Sequence, residues 1–560
     1  MGRLALTSNH QLSKLAHLTN PITRNCRKRR YLVGVTQSTQ AATAAKATNS
    51  EYLLDGLNES QREAVCVPNT PLCIVAGAGT GKTRVLTRRI AYQSQQGNIA
   101  PNHTLALTFT RKAARELRSR LAALGMQESI GWVTAGTFHS AAYAQLQTRW
   151  AEKRQQPPHL LKQKQRLLAR TAHNMGERFS STELQQAALE IEWAKARGIS
   201  PHKYPIHLAS FGRATSLDST LLSDLYERYE AEKTKRGLLD FDDLLILALR
   251  ELQEHPHYAE ARRWRFQHLF VDEMQDVNPL QFKLLQAWLG DRNDLCAVGD
   301  PNQAIYGWNG ADSGYIEHFR DWFDAATIKH LRDNYRSSPQ ILAVAHCVIG
   351  TGTGTLKAHC TDGPKPAVIA HANDSDEATA IAQALRAAKG PEVAWSTMAV
   401  LTRTNAQTAT ITAALDRAHI PYYVRTTGRG EVLSADTQDT ANEIAASANG
   451  TRAQENQPNQ QPTQQTHNGD AVAVSTFHAA KGLEWPIVHL AGMEQGLVPI
   501  AHAQTKSELR EERRLLYVAI TRAKQQLHCH WATERRFGSK TVTRSPSPYL
   551  RAILGVDYKR

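Results

Sequence analysis

Residues 72–84 read LCIVAGAGTGKTR, an apolar run that gives way to small residues and ends in Gly81-Lys82-Thr83. The run has the length and composition of a buried strand, and TRVLTRRIAYQSQQ (83–96) has helical length, so the small residues fall where a strand turns into a helix. The spacing is that of a phosphate-binding loop with Ala76 in place of the first glycine. Ala76, Gly77, Ala78, Gly79, Thr80 and Gly81 allow backbone N–H groups to close on phosphate oxygens. Lys82 would reach the β and γ phosphates and Thr83 would hold Mg²⁺. A nucleoside triphosphate with its magnesium is the expected ligand.

On either side of this loop the chain alternates. From Tyr52 to about Trp150 short apolar runs are followed by helical stretches, as in TLALTFT (104–110) and RKAARELRSRLAAL (111–124). Strands separated by helices of that length predict a parallel sheet with helices on both faces. Residues 151–262 lack strand-like runs and carry SDLYERYEAEKTK (223–235) and DFDDLLILALRELQ (240–253), which predicts a helical insertion. Strand patterns resume at HLFVDE (268–273), DLCAVGD (294–300) and TIKHL (327–331). A second block follows, with KPAVIAHA (365–372), TMAVLTR (397–403), PYYV (421–424), AVAVSTFH (471–478) and PIVHLAGM (486–493). The expected fold class is therefore α/β, with two parallel-sheet cores. The Gln- and Asn-rich stretch at 449–470 cannot bury much surface and reads as a flexible linker.

The 560 residues carry 67 Lys and Arg against 52 Asp and Glu, a net charge of +15 whose sign suits a polyanionic partner. Eight of those basic residues and no acid lie in residues 1–50, which leaves 59 against 52, or +7, for the rest. That segment reads as a disordered basic tail with three interpretations open: an arm that touches DNA, a mitochondrial type of targeting segment, or an over-extended start. No apolar run is long enough to span a membrane, so no membrane partner is expected. The seven cysteines include no C-x-x-C pair, which argues against a zinc site and a disulfide framework and suits a reducing, cytoplasmic setting.

A phosphate loop serves many chemistries, and VDEMQD (271–276) narrows them. A strand ending in Asp272 and Glu273 would place one carboxylate to hold the magnesium and a second to take a proton from an attacking water, which predicts hydrolysis.

With these two motifs stand LNESQREAV (57–65), AGTFHS (135–140), VGDPNQAIYGWNGAD (298–312), DNYRSSPQIL (333–342), VLTRTNAQTATITAALDRAHIPYYV (400–424), VSTFHAAKGLEW (474–485) and EERRLLYVAITRAK (511–524). In this order the series resembles the motifs of the UvrD, Rep and PcrA type of superfamily 1 DNA helicases. TFHAAKGLEWPIVHLAG (476–492) and SPSPYL (545–550) are similar to the second UvrD-like helicase of actinobacteria. The resemblance implies two RecA-like P-loop domains, 1A at 51–145 and 263–330 and 2A at 331–427 and 470–560. A helical 1B insertion at 146–262 and a low-complexity remnant at 428–469, in place of subdomain 2B, complete the expected division.

The resemblance also implies roles. Gln61 would read the adenine edge and Tyr335 would stack on the base, making ATP the fuel. Gln303 would sense the γ phosphate. Arg84, Arg336 and Arg522 would reach the phosphates, the last two from the far core, and Glu484 would contact the sugar. Each arginine has the role of a surface ion-pair partner as its less favoured alternative. Phe109, Thr137, His139, Tyr306, Trp308 and His478 would line the DNA track. Any of these aromatics could instead be core; Trp308, in a turn-forming run, is poorly placed for that, while Phe109 stays open between the two.

The implied activity is ATP-dependent, DNA-stimulated 3′–5′ helicase or translocase action in DNA repair or replication restart. Its partners would be single-stranded DNA, DNA with a 3′ tail and repair or replication proteins, with a monomer expected in solution. The alternatives are a translocase that clears proteins from single strands without unwinding, and an ATP-gated DNA-binding module. The short 2B segment, and a chain that ends soon after its last motif, predict no C-terminal accessory domain and put strand separation in question.

Overall fold

The computed structural model describes residues 50–425 and 469–555, apart from 69, 127–132, 214, 351–355 and 538–539. The basic tail expected at 1–50 and the remnant expected at 428–469 lie outside the described residues, except for Ser50 and Gly469.

Along the chain, β1 (Leu72–Ala76), β2 (Thr104–Thr108) and β3 (Thr134–Thr137) alternate with helices Lys82–Gln95 and Arg111–Ala123. β4 (His159–Leu160) and β5 (Leu238–Leu239) bracket a helical stretch, after which β6 (His268–Val271), β7 (Leu295–Gly299) and β8 (Thr327–Leu331) follow. Six of these strands form one parallel sheet in the order β3-β2-β6-β7-β1-β8. Alternate residues feed its two faces: Cys73, Leu105, Leu269 and Ala297 join one apolar cluster, and Ile74, Ala106, Phe270 and Val298 the other. Strands covered on both faces read as continuous apolar runs, which is why they were legible.

The helical stretch departs from expectation at its edges. β4 and β5 pair in parallel and tie its ends together, strands too short to show in the sequence. Only the residues between them have a core of their own, built around Leu168, Ile191, Trp193, Leu225 and Tyr229. The helices Phe138–Glu152, Phe241–Glu254 and Pro256–Arg265 instead bury Leu146, Trp150, Leu245 and Tyr258 in the first core, inside the 146–262 span read as insertion. Buried charge fastens the two parts. Lys195 Nζ lies 2.8 Å from Asp240 and 2.5 Å from Asp243, and Lys233 Nζ 2.8 and 2.6 Å from the same pair. The lysines occupy the space among Glu230, Asp240 and Asp243 where a cation would otherwise fit.

In the second block β9 (Asp333–Asn334) pairs with β10 (Lys357–Ala358). β11 (Ala367–Asn373), β12 (Met398–Thr402), β13 (Tyr422–Arg425), β14 (Val472–Thr476), β15 (Trp485–Ala491) and β16 (Ala523–Phe537) form a second parallel sheet, ordered β11-β16-β15-β12-β14-β13. β17 (Lys540–Thr543) adds antiparallel to β16. No helix among the described residues is long and apolar enough to cross a membrane.

β16 carries AKQQLHCHWATERRF and was not expected as a strand. Its buried positions hold His530 and Arg535 as well as Leu527, Cys529 and Ala532, and hydropathy does not recognise them as interior. Arg535 is neutralised between Glu377, at 2.6 Å, and Glu494, at 2.5 Å. His530 joins a chain of rings: its Nδ1 is 3.0 Å from His371 Nε2 and its Nε2 is 3.0 Å from His489 Nδ1. Burial, with the neighbouring imidazoles adding to it, pushes His530 down to about 3 and His489 well below the ordinary value.

Both rings are neutral when folded and take up a proton near pH 6.5 when unfolded, so their stabilisation is present above that pH and lost as it falls. Denaturant titrations should show stability dropping between pH 6.5 and 5.0 by about 1.4 kcal/mol per pH unit for each ring. His530→Gln should have the shallower slope; equal slopes would contradict the assignment.

Candidate functional site

β1 delivers the chain into the loop 77–81, and the helix Lys82–Gln95 begins directly after it. Gly79 and Gly81 have φ of 71° and 83°, and a Cβ on Gly79 would come within 2.6 Å of Asn334 Nδ2, so the loop needs glycine for both conformation and room. Lys82 Nζ is buried with no hydrogen-bond partner. An ammonium in that state is costly unless an anion completes it, and loop N–H groups at a helix start supply the rest of a phosphate cradle. From the second block, Asn334 Nδ2 donates to Ala78 O at 2.6 Å and the Tyr335 N–H to Gly79 O at 3.0 Å.

β6 ends beside this loop. Asp272 Oδ2 accepts from the Thr83 hydroxyl at 3.4 Å and its Oδ1 from the Glu273 N–H at 3.0 Å. A hydroxyl and a carboxylate facing each other are hard oxygen donors of the kind Mg²⁺ takes, so the residues fit that ion. Glu273 adopts φ 54°, ψ 44°, a left-handed conformation uncommon for a non-glycine residue and of the sort stored at functional positions. The two acids separate electrostatically. Burial, and then the charge of Glu273, push Asp272 up. Burial would raise Glu273 as well, but Lys82, Lys481, the Gln275 amide and Arg522 together hold it down as an anion. A pair split in this way can assign one carboxylate to accept a proton.

The remaining nucleotide candidates gather around the same place, with some engaged by the protein. Arg522 is buried, donating to Val518 O at 2.9 Å and Leu483 O at 3.0 Å, and is pushed down to about 9 by burial and by Arg336. Arg336 Nε is 2.5 Å from Glu484 Oε2, and Lys524 Nζ is 2.7 Å from Glu484 Oε1, so that carboxylate is held by two cations. Gln303 is buried with its amide on Asp300 at 2.6 Å. Gln61 is buried too, donating to Thr80 O at 2.9 Å and accepting the Asn58 N–H at 3.2 Å. These two bonds hold its amide against the phosphate loop. Tyr335 is 47% exposed and stacks on His359 at 4.9 Å. Arg84 is exposed beside Gly56.

One residue escaped the sequence reading. Lys481 Nζ donates to Asp276 Oδ2 at 2.5 Å and to Gln303 O at 2.8 Å, and lies 5.0 Å from the centre of the Tyr306 ring. Its place between His478 and Glu484, in a segment already dense with candidates, was the available signal.

All six candidates for the DNA track, Phe109, Thr137, His139, Tyr306, Trp308 and His478, line one cleft of about 2970 Å³, together with cations that include Arg111, Lys112, Arg115, Lys162, Arg166 and Arg425. Phe109 stacks on Tyr306 at 4.8 Å, which places this ring on the cleft wall rather than in the core. Trp308 lies 6.4 Å from Tyr306, edge-on. Aromatic rings among cations suit a single-stranded nucleic acid, whose bases stack and whose phosphates attract. Thr137 is also the cap of the helix Phe138–Glu152, accepting the Ser140 N–H at 3.2 Å. His139 is pushed down to about 4 by burial, against the pull of Asp240, and so is neutral near pH 7.

Two family models match the chain: the UvrD/REP helicase N-terminal domain over residues 57–324, and the UvrD-like helicase C-terminal domain over 329–429 and 438–534. The ATP-dependent DNA helicase UvrD2 of Mycobacterium tuberculosis is 36% identical over 578 residues, covering 90% of this chain and 82% of that protein. DNA helicase II of Escherichia coli is 29% identical over 637 residues, covering 89% and 87%.

The split acid pair yields a direct test. Glu273→Gln removes the anion while keeping the shape, so nucleoside triphosphate hydrolysis should fall by roughly 10²–10⁴-fold while nucleotide binding persists. Hydrolysis at the parent rate would remove Glu273 from the chemistry.

Proposed function

The chain belongs to the UvrD/REP family of ATP-dependent DNA helicases, and we propose that it draws itself along a single DNA strand from 3′ to 5′ and opens the duplex ahead, in DNA repair or replication restart. One observation carries this reading. Lys481, from the segment joining β14 to β15, binds Asp276 three residues beyond the hydrolytic carboxylate and lies against Tyr306 in the cleft, so one side chain touches both the nucleotide machinery and the track.

In this proposal the loop amides and Lys82 hold the β and γ phosphates, and Thr83 and Asp272 hold Mg²⁺, which supplies charge to the phosphoryl oxygens. Glu273 takes the proton of the attacking water. Arg336 and Arg522 balance negative charge from the side opposite Lys82, and Gln303 responds to loss of the γ phosphate. Tyr335 offers a ring to the base. Because the arginines and Lys82 belong to different cores, ATP draws the cores together and its hydrolysis releases them. Movement follows only if the grip on the strand differs between the two states; Phe109, Tyr306, Trp308 and His478 supply that grip. Single-stranded DNA and 3′-tailed duplexes are the substrates, with repair or replication proteins as partners and a monomer as the working unit.

A translocase that clears proteins from the strand without opening duplex is the second reading. It is favoured by the short stretch between Arg425 of β13 and Val472 of β14, where the family resemblance implies a larger subdomain.

Strand displacement on 3′- and 5′-tailed duplexes separates the readings. The 3′-tailed duplex alone should open, and Lys82→Ala should abolish both opening and DNA-stimulated hydrolysis. DNA-stimulated hydrolysis without opening of either duplex would favour the second reading, and hydrolysis by Lys82→Ala would overturn both.

A further inference from the structure

The turn Gly307–Asn309, which carries Trp308, is held from two directions by residues outside its own sheet. From the helical insertion, Arg213 donates to Trp308 O at 3.2 Å while paired with Glu190 at 2.9 Å. From the helix Lys506–Ile520, the Glu511 carboxylate lies against the backbone of Gly307. The carboxylate sits so close that a Cβ on Gly307 would meet Glu511 Oε2 at 2.5 Å, a contact that only glycine permits. Arg514 reinforces the approach, reaching Ser313 at 3.2 Å and Glu317 at 2.7 Å.

The same helix reaches the nucleotide. Tyr517 is buried in the same apolar cluster as Ala78 of the phosphate loop, and Arg522, just past the helix end, feels both Arg336 and Glu273. At 1.5 Å per residue, the nine steps from Glu511 to the helix end at Ile520 span about 14 Å. One rigid element thus touches the phosphate loop near one end and the Trp308 turn toward the other.

We propose that the helix Lys506–Ile520 is a lever and that Glu511 is its positioning residue on the DNA side, coupling closure around the nucleotide to the placement of Trp308 against the strand. Glu511 touches neither substrate and acts through the backbone of the turn, against which its carboxylate packs at Gly307. When the arginine end moves toward the phosphates, the carboxylate carries the turn with it, and the stacking of Trp308 changes. This rests on Trp308 contacting DNA, as proposed above.

The test uses the full chain with a single strand containing 2-aminopurine, read alongside ATP hydrolysis with and without DNA. A non-hydrolysable ATP analogue should change the 2-aminopurine signal of the parent protein and leave that of Glu511→Ala unmoved. The ratio of DNA-stimulated to DNA-free hydrolysis should fall about tenfold in Glu511→Ala, in line with the cost of small misplacements. Glu511→Gln, which keeps an oxygen acceptor, should restore most of the ratio. Gly307→Ala should reproduce the defect by displacing the carboxylate, and combining it with Glu511→Ala should add nothing further. If Trp308→Ala loses DNA stimulation while Glu511→Ala and Gly307→Ala keep both the ratio and the nucleotide-dependent signal, the lever is wrong. If Trp308→Ala itself keeps full stimulation, the assignment of the DNA track fails and the lever falls with it.

Discussion

The buried ion pair between Lys481 and Asp276 is the joint on which the rest of the molecule turns. A lysine from the second α/β block passes into the loop that follows Asp272 and Glu273 of the first, 2.5 Å from its partner. In water such a pair would contribute little, but here both ends are buried, and removing one partner of a buried pair costs about 3 to 5 kcal/mol. The contact therefore specifies how the blocks meet, and with it the distance from Lys82 to the arginines on the other side. Because the same ammonium also lies over Tyr306, its position is shared by the nucleotide site and the cleft.

Paired buried charge recurs wherever separate pieces of the chain must register. Lys195 and Lys233 close on Asp240 and Asp243 where the insertion meets the first core, Arg403 on Glu512 beneath the long helix of the second block, and Arg535 on Glu377 and Glu494 under its sheet. Apolar surface holds each core together without specifying its neighbour, since any apolar face covers another. A buried carboxylate, by contrast, needs donors set at hydrogen-bond distance, and so fixes where its partner must lie. Lys82 differs from these lysines: its ammonium is buried with no hydrogen-bond partner among the described residues. A buried ammonium left incomplete beside a loop of backbone N–H groups marks the place where an anion fits.

Both sheets were visible in the sequence where their strands are covered on two faces, as in LCIVA, TLALT and HLFV. β16 was not, because its interior positions are histidine and arginine made tolerable by neighbours from other strands. The insertion read too wide because helical periodicity says that a segment is a helix but not which core receives its apolar side. In the candidate site the loop, the acid pair and the line of aromatic residues were all legible. Gln61, anticipated as a reader of adenine, stands against the phosphate loop with its amide bonded to Asn58 and Thr80. Lys481 and Glu511 gave no local sign of what they hold.

The sequence by itself determined the local chemistry: a strand, a turn of small residues and a lysine at a helix start make a phosphate cradle wherever they fold, because residue type and spacing over a few positions suffice. The tertiary structure alone decided how that chemistry is connected. Lys481 and Asp276 lie 205 positions apart, and Glu511 reaches Gly307 from the other block. A charge finds its partner, and a histidine becomes interior, only when distant segments have been packed together and water has been removed from between them.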